Sequence, residues 1–321
     1  MKVRGAYSLE VKKEILSNLS QDSCCKLSFL SAVLKSSEYN ISNNGFSIEI
    51  STKIKQLLDE VSEIIHSMYG YNAILIKDED AFNMNERYKL IIEGDIVKPL
   101  LIDCGIAKVN EENCFEFVDG IDSELILDEC CKKSYIKGLL LACGSVSGIG
   151  EKSNRSIDYH LEWVMSSEQT AFDLLELLAD FNIFGRKILR KNLFVVYLQK
   201  FEQISDLLVV VDAPNAMLSL NEEFAMRTIK NTVNRINNCE SANQTKTIDA
   251  SITQLRAINT IMDTIGIEAL GEDLERVCML RLANEDESLE GLARLSGMTR
   301  SALNYRLNKI IKIAEEVSLR D

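Results

Sequence analysis

The side chains best suited to chemistry in this chain crowd into its last thirty or so residues. From Thr299 to Ile313 the sequence supplies Arg300, Ser301, Asn304, Tyr305, Arg306, Asn308, Lys309 and Lys312, and no acid. Guanidinium forks and carboxamides can pair with base edges, whereas lysine ammonium groups bind phosphate as point charges. At about 100° per residue, Leu303, Leu307, Ile310, Ile311 and Ala314 fall on one side of a helix and face a core. Ser301, Tyr305, Asn308, Lys309 and Lys312 fall on the other, with Arg300 and Asn304 flanking near the N-terminal end. An ordinary solvated basic helix has the same pattern, so the preceding residues carry the distinction. Ser288 can cap a short helix, Leu289 to Leu295, which turns through Ser296-Gly297-Met298; Thr299 can cap a long helix to about Glu316. Ala293 is small enough to face a second helix closely, and Gly297 permits the tight turn. Such an arrangement lays its second helix in the major groove, with base-reading groups early and phosphate-binding cations later. Double-stranded DNA is the expected partner. Arg235 and Lys246 are secondary candidates for phosphate contact. The amides and hydroxyls between them, Asn238 to Thr247, read first as loop and cap chemistry at a helix junction.

Net charge is −13, which is the wrong sign for DNA until it is divided along the chain. Residues 288–321 carry six basic and four acidic side chains, a net of +2, and the rest sums to −15. A local basic stripe governs phosphate contact more than the whole-chain sum. The acidic remainder suits a second partner, another regulatory protein. The first ten residues are polar, without the apolar region of a secretory signal. Leu139 to Cys143 and Leu207 to Val211 are far too short to span a bilayer. A cytoplasmic, nucleoid-associated protein with no membrane partner is expected. Nine cysteines, an odd number, include the adjacent pairs Cys24-Cys25 and Cys130-Cys131. Without a CxxC pair, and with His66 and His160 the only histidines, no zinc template appears. The cysteines read as reduced, mostly buried thiols, with no metal and no cofactor, a regulatory redox role being the alternative. Gly144 to Ser153 glances toward a phosphate-binding loop, but its spacing is wrong and it follows a helix instead of a strand.

What must position the reader is a duplicated N-terminal part. Cys24-Cys25-Lys26-Leu27-Ser28-Phe29-Leu30 recurs 106 positions later as Cys130-Cys131-Lys132-Lys133-Ser134-Tyr135-Ile136. After the first helix come a strand over Phe46–Ile50, a helix over about Thr52–Met68, and strands over Asn72–Ile76 and Tyr88–Glu93. The second copy runs Ser156–Met165, a helix over about Ser167–Phe181, then Ile183–Leu189 and Leu193–Leu198. Each copy thus reads α-β-α-β-β with helical sequence after it. Ser28, Ala32 and Ser36, then Ser134, Gly138 and Ala142, place small residues four apart on each first helix, as a close helix–helix seam requires. The fold class is α+β. A segment 1–22 precedes a duplicated domain over 23–214 (repeats about 24–100 and 130–212), a helical connector over 215–247 and an all-α helix-turn-helix domain over 248–321.

Ile136-Lys137-Gly138-Leu139-Leu140-Leu141-Ala142-Cys143-Gly144 resembles the LAGLIDADG motif of homing endonucleases. Those enzymes hold catalytic metal with an acid at the foot of each paired helix. The corresponding residues here are Cys143 and, in the first copy, Ser37; Glu38 is a neighbour on one side only. The resemblance therefore implies a retained scaffold without the ligands for two-metal hydrolysis, and no catalytic residues. It also implies that the sheets lie on DNA. There Arg186, Lys187, Arg190 and Lys191 form a basic hairpin, whereas Lys77-Asp78-Glu79-Asp80 is acidic, so contact is expected from the second copy alone.

The chain as a whole resembles the WhiA sporulation and cell-division regulators of Gram-positive bacteria. The matching residues are Asn234-Arg235, Asn238 to Asn243, Lys246-Thr247, Asp249-Ala250, Leu280-Arg281-Leu282, Ser288-Leu289 and Thr299 to Leu307, together with the doubled Cys-Cys starts. The turn before Thr299 is a few residues shorter than in that family, and Tyr305 and Asn308 stand where it tends to have histidine and a basic residue. The resemblance implies a sequence-specific transcriptional regulator of sporulation or cell division that is not an enzyme. A chromosome-associated or protein-interaction regulator with weak DNA binding is the first alternative, an active nuclease the second.

Overall fold

Two helices of the chain are apolar on nearly every side, which buries them at the centre of the fold. These are α2 (Ser23–Lys35) and α5 (Glu129–Cys143), the first helices of the two copies. The computed structural model describes residues 6–42, 45–78, 86–147 and 159–319. Along α2 the run from Ser28 to Leu34 is buried without interruption, and along α5 the run from Ser134 to Leu141. The two helices pack directly on each other. A Cβ built on Gly138 would lie 2.6 Å from the Ala32 Cβ and 2.7 Å from the Phe29 carbonyl oxygen, so only glycine fits at this crossing.

Three polar side chains trapped beside the crossing, Ser28, Ser31 and Lys137, are paired. Ser28 Oγ shares its one proton between the carbonyls of Cys24 and Leu125, at 2.8 and 2.6 Å, and Ser31 Oγ donates to that of Cys104 at 2.6 Å. Lys137, whose side chain is only 4% exposed, donates to the Asn18 carbonyl at 2.9 Å and pairs with Asp212 at 2.6 Å. A buried ammonium is tolerated only when its donors are engaged in this way.

Around the pair, each copy builds the same antiparallel sheet. In the first copy β1 (Glu38–Ser42), β2 (Gly45–Thr52), β3 (Ile74–Asp78) and β4 (Arg87–Glu93) stand in the order β1-β2-β4-β3. In the second, β7 (Gly144–Ser147), β8 (His160–Met165), β9 (Arg186–Arg190) and β10 (Leu193–Leu198) stand in the order β7-β8-β10-β9. Each sheet is backed by an amphipathic helix, α3 (Lys55–Tyr69) through Leu57, Leu58, Val61, Ile64 and Ile65, and α6 (Glu168–Ala179) through Ala171, Leu174, Leu177 and Leu178. A helix closes each copy, α4 (Val97–Asp103) and α7 (Phe201–Val210), and a short hairpin, β5 (Ala107–Val109) with β6 (Phe115–Phe117), links them.

The expected α-β-α-β-β order omits β1 and β7. Their sequences are polar, and β7 follows α5 without an intervening residue, so no turn signal announces them. Pairing supplies what local pattern lacks: Gly144 to Ser147 take register against Trp163 to His160, with Gly144 and Val146 buried. The expected strand start at Ser156 and most of the glycine-rich 144–153 stretch lie outside the described residues.

The N-terminal segment forms α1 (Ala6–Ser17). The Glu14 carboxylate accepts from the backbone amides of Asn215 and Ala216, both at 2.8 Å, and so caps α8 (Pro214–Thr264), whose opening proline has no amide to satisfy. The expected junction at Asn238–Thr247 does not break α8. Thr245 and Thr247 instead turn their hydroxyls back onto the carbonyls of Ser241 and Asn243, at 3.0 and 2.9 Å, which satisfies the hydroxyls within the helix. Beyond α8 come α9 (Glu272–Ala283), α10 (Leu289–Ser296) and α11 (Arg300–Ser318). The chain divides into two compact units at Ala225, each with its own apolar core.

All nine cysteines are free, but Cys24, Cys114, Cys130 and Cys239 are exposed. The expectation of mostly buried thiols is therefore corrected: a helix start, a hairpin turn and the polar middle of α8 hold them at the surface.

The helix crossing yields a direct test. Gly138→Leu must push α2 and α5 apart, and a loss of about 1–3 kcal/mol is expected, read as a lower thermal midpoint of the full chain. Unchanged melting would show that the contact tolerates bulk.

Candidate nucleic-acid interface

The candidate reader is built on capping chemistry. Ser288 Oγ accepts from the Gly291 amide at 3.1 Å and starts α10. Gly297, at φ +67°, ends α10 in the left-handed conformation. Thr299 Oγ1 accepts from the Ala302 amide at 3.2 Å and starts α11. Leu303, Leu307, Ile310 and Ala314 of α11 are buried against Leu292 and Ala293 of α10, Val277 and Cys278 of α9 and Ile258 and Ile261 of α8.

The opposite face of α11 is open. Arg300, Ser301, Asn304, Tyr305, Asn308, Lys309 and Lys312 are all exposed, Tyr305 at 70%. Arg306 departs from this set. It is half-buried, reaching Asp273 on α9 at 3.6 Å and the Ala302 carbonyl at 3.4 Å.

A residue that sequence reasoning saw only as part of a motif proves central to this unit. Arg281 is 2% exposed. Its Nε donates to Gln254 Oε1 at 2.8 Å, and the guanidinium also donates to the carbonyls of Asn284 and Glu287 at 3.1 and 2.7 Å. It thereby fastens the loop from α9 into Ser288 onto α8. An arginine within an apolar run, LRL, is the one signal that could have marked it.

Of the secondary candidates, Arg186, Arg190 and Lys191 are exposed on the β9–β10 hairpin. Lys191 and Asn192 carry φ values of +49° and +62°, the two left-handed residues of a tight two-residue turn. Lys187 is less available: it pairs with Glu168 at 2.7 Å and lies 5.7 Å from the Phe194 ring centre. Arg235 and Lys246 are exposed on α8. In the first copy Lys77 pairs with Glu86 at 2.6 Å, while Glu79 and Asp80 lie outside the described residues.

At the foot of α2 and α5 lies a cleft of about 500 Å³ lined by Lys35, Ser37, Glu38, Asp119, Cys143 and Thr170 among others. Ser37 Oγ donates to the Val33 carbonyl at 3.0 Å and Cys143 Sγ to that of Leu139 at 3.3 Å, each folded back on its own helix. Glu38 is exposed and sits opposite Glu49 across the β1–β2 pair. Two lysines that sequence reasoning missed frame this end: Lys12 donates to the Leu141 carbonyl at 3.0 Å and Lys35 to that of Val118 at 2.7 Å. Burial pulls the Lys12 ammonium down to about 8, against the opposing influence of Cys143. Burial also lowers that of Lys35, with Asp119, Asp173 and Asp122 acting the other way. Among the described residues no three metal-ligating side chains converge at this foot.

Three family models match in succession: the WhiA N-terminal LAGLIDADG-like domain over residues 23–107, the WhiA LAGLIDADG-like domain over 132–230 and the WhiA C-terminal HTH domain over 233–314. A probable cell division protein WhiA of Clostridium botulinum (strain Hall) is 34% identical, across 97% of this chain and 98% of that protein. The chain belongs to the WhiA family. Another probable cell division protein WhiA, from Clostridium tetani, is 33% identical across 98% of each chain. In structure, the full-length DUF199/WhiA from Thermatoga maritima aligns with a TM-score of 0.53 at 23% identity, covering 97% of this chain and 98% of that one. The expected WhiA architecture, duplicated LAGLIDADG-like domains followed by a helical helix-turn-helix domain, is borne out. Among the described residues no helix is long and apolar enough to cross a membrane.

In this WhiA-type helix-turn-helix unit the buried guanidinium should matter as much as any exposed group. Arg281→Ala strands Gln254 and two carbonyls, and a loss of about 3 kcal/mol is expected. Hydrogen exchange in α10 and α11 should accelerate well before any change in α2 or α5. Equal protection in variant and parent would remove Arg281 from this role.

Proposed function

We propose that this chain is a sequence-specific, DNA-binding transcriptional regulator of cell division or sporulation, whose endonuclease-like part performs no catalysis. The observation that carries the reading is the exposed face of α11, free of acids from Arg300 to Ile313, set behind a capped α10 and a left-handed glycine. Arg300, Ser301, Asn304 and Tyr305 come first on that face and suit base edges and thymine methyls. Asn308, Lys309 and Lys312 come later, where a helix leaving the groove meets phosphate. In this reading Arg306 positions α11 against α9 and touches DNA secondarily. Arg186, Arg190 and Lys191 add a one-sided phosphate contact, with Lys187, Arg235 and Lys246 supplementary. The working assignment is a duplicated domain over 23–214, a connector over 215–247 and a DNA-binding domain over 248–321, acting in the cytoplasm on the nucleoid.

The acidic charge of the first 287 residues favours one further role there, docking of another regulatory protein. Genome-wide footprinting separates discrete promoter sites from diffuse chromosome association.

Reading and holding on α11 separate by mutation. Arg300→Ala or Asn304→Ala should cost about 1–3 kcal/mol on the target duplex and shrink the ratio of specific to scrambled binding. Lys309→Ala should leave that ratio nearly intact and lower the salt dependence by about one unit. Titrations at several salt concentrations decide it; parental behaviour of all three variants would remove α11 as the reader.

Catalytic silence has its own assay. Ser37 and Cys143 supply no paired carboxylates, so the protein with magnesium or manganese should leave supercoiled DNA intact. Protein-dependent cleavage abolished by Glu38→Gln would overturn this.

A further inference from the structure

Cys24, Cys25, Cys130 and Cys131 are not used by the function proposed above, yet the fold brings them together. Cys24 and Cys25 lie in the first turn of α2, Cys130 and Cys131 in the first turn of α5, and all four Sγ atoms fall within 4.8 Å of one another. Cys25 and Cys131 are buried, at 1% and 4% exposure, while Cys24 and Cys130 are exposed. Each helix thus contributes one inner and one outer sulfur.

Neighbouring side chains on one helix diverge by about 100°, which makes an isolated Cys-Cys pair a poor chelate. The crossing of two such helices changes that, because the meeting point lies between them. A tetrahedral ion bound by sulfur at about 2.3 Å requires sulfur–sulfur edges of about 3.8 Å. Shortening the longest separation from 4.8 Å to that edge takes about 1 Å, within the reach of small χ1 adjustments. Both pairs sit at helix N-termini, where free amides and the helix dipole favour anionic sulfur. Of the lysines that follow directly in sequence, Lys132 pairs with Asp180 and Lys133 with Glu129, which leaves Lys26 nearest in sequence to the quartet. With sulfur as the sole donor type, the set favours a soft, four-coordinate ion over magnesium, calcium or manganese.

We propose that Cys24, Cys25, Cys130 and Cys131 form a four-thiolate site for a thiophilic divalent cation, zinc foremost, which clamps the N-terminal ends of α2 and α5 together. The ion joins residues 106 positions apart and holds the two copies at the end of the helix pair remote from the cleft.

The test uses the full chain, isolated under reducing conditions without chelators. Elemental analysis should find about one zinc per chain, and cobalt(II) added to the stripped protein should give intense thiolate charge-transfer and tetrahedral ligand-field bands saturating near one equivalent. Stripping the ion should lower the thermal midpoint. Cys24→Ser with Cys130→Ser alters only the two exposed sulfurs; it should keep the parental circular dichroism and weaken cobalt binding by at least about tenfold. Three results would overturn the site: a reduced parent chain that takes up neither ion, a cobalt spectrum unchanged in the double variant, or a Cys24–Cys130 disulfide that persists in metal-free protein under these reducing conditions. The last would make the quartet a redox cross-link instead.

Discussion

The contact between Gly138 and the Ala32–Phe29 segment sets the dimensions of the N-terminal unit. With 2.6 Å between the Ala32 Cβ and the place a Gly138 Cβ would occupy, the two central helices are as close as their backbones allow. Everything else is hung from that pair. Each helix runs at its C-terminal end into the edge strand of its own sheet, so the distance between helices fixes the distance between sheets. The same geometry determines what gathers at the two ends of the pair: cysteines at one, a serine, a cysteine and two lysines at the other.

Buried cations recur as internal ties. Lys137 holds the α1–α2 loop and the turn before α8, and Arg281 holds the loop before α10. The Lys137 charge is matched by the Asp212 carboxylate and one carbonyl, that of Arg281 by carbonyl oxygens, which the chain presents in fixed directions once its loops are formed. Such ties specify one loop conformation more than they add net stability, since desolvation of the cation offsets much of the attraction.

How far the sequence announced this structure depended on range. The α10–turn–α11 unit was legible almost residue by residue, because caps, glycine and the helical period are local signals: Ser288, Gly297 and Thr299 each act within four residues of themselves. The repeat exposed the central helix pair, and Gly138 with Ala32 its point of contact. Strands β1 and β7 escaped because their pairing partners, not their own residues, make them strands. The polar run Asn238–Thr247 misled because threonine hydroxyls that favour caps can also bond back along a helix. The Cys-Cys pairs were judged one at a time, and only the crossing of α2 with α5 makes them neighbours. Arg306 falls by angle between the two faces of α11, and Asp273 on another helix lies within 3.6 Å of it.

The two sheets share one strand order, β1-β2-β4-β3 and β7-β8-β10-β9, within a single polypeptide. A symmetric homodimer would have to change both of its surfaces with every substitution. Tandem fusion lifts that restriction, and each half can accumulate differences that its twin does not share. The basic turn at Arg190-Lys191 has no duty to be mirrored in the first copy, nor does the buried Lys137, whose counterpart at the same offset is Ser31. The shared strand order survives in the backbone while the side chains are free to specialise, so one repeated fold presents two chemically unlike faces.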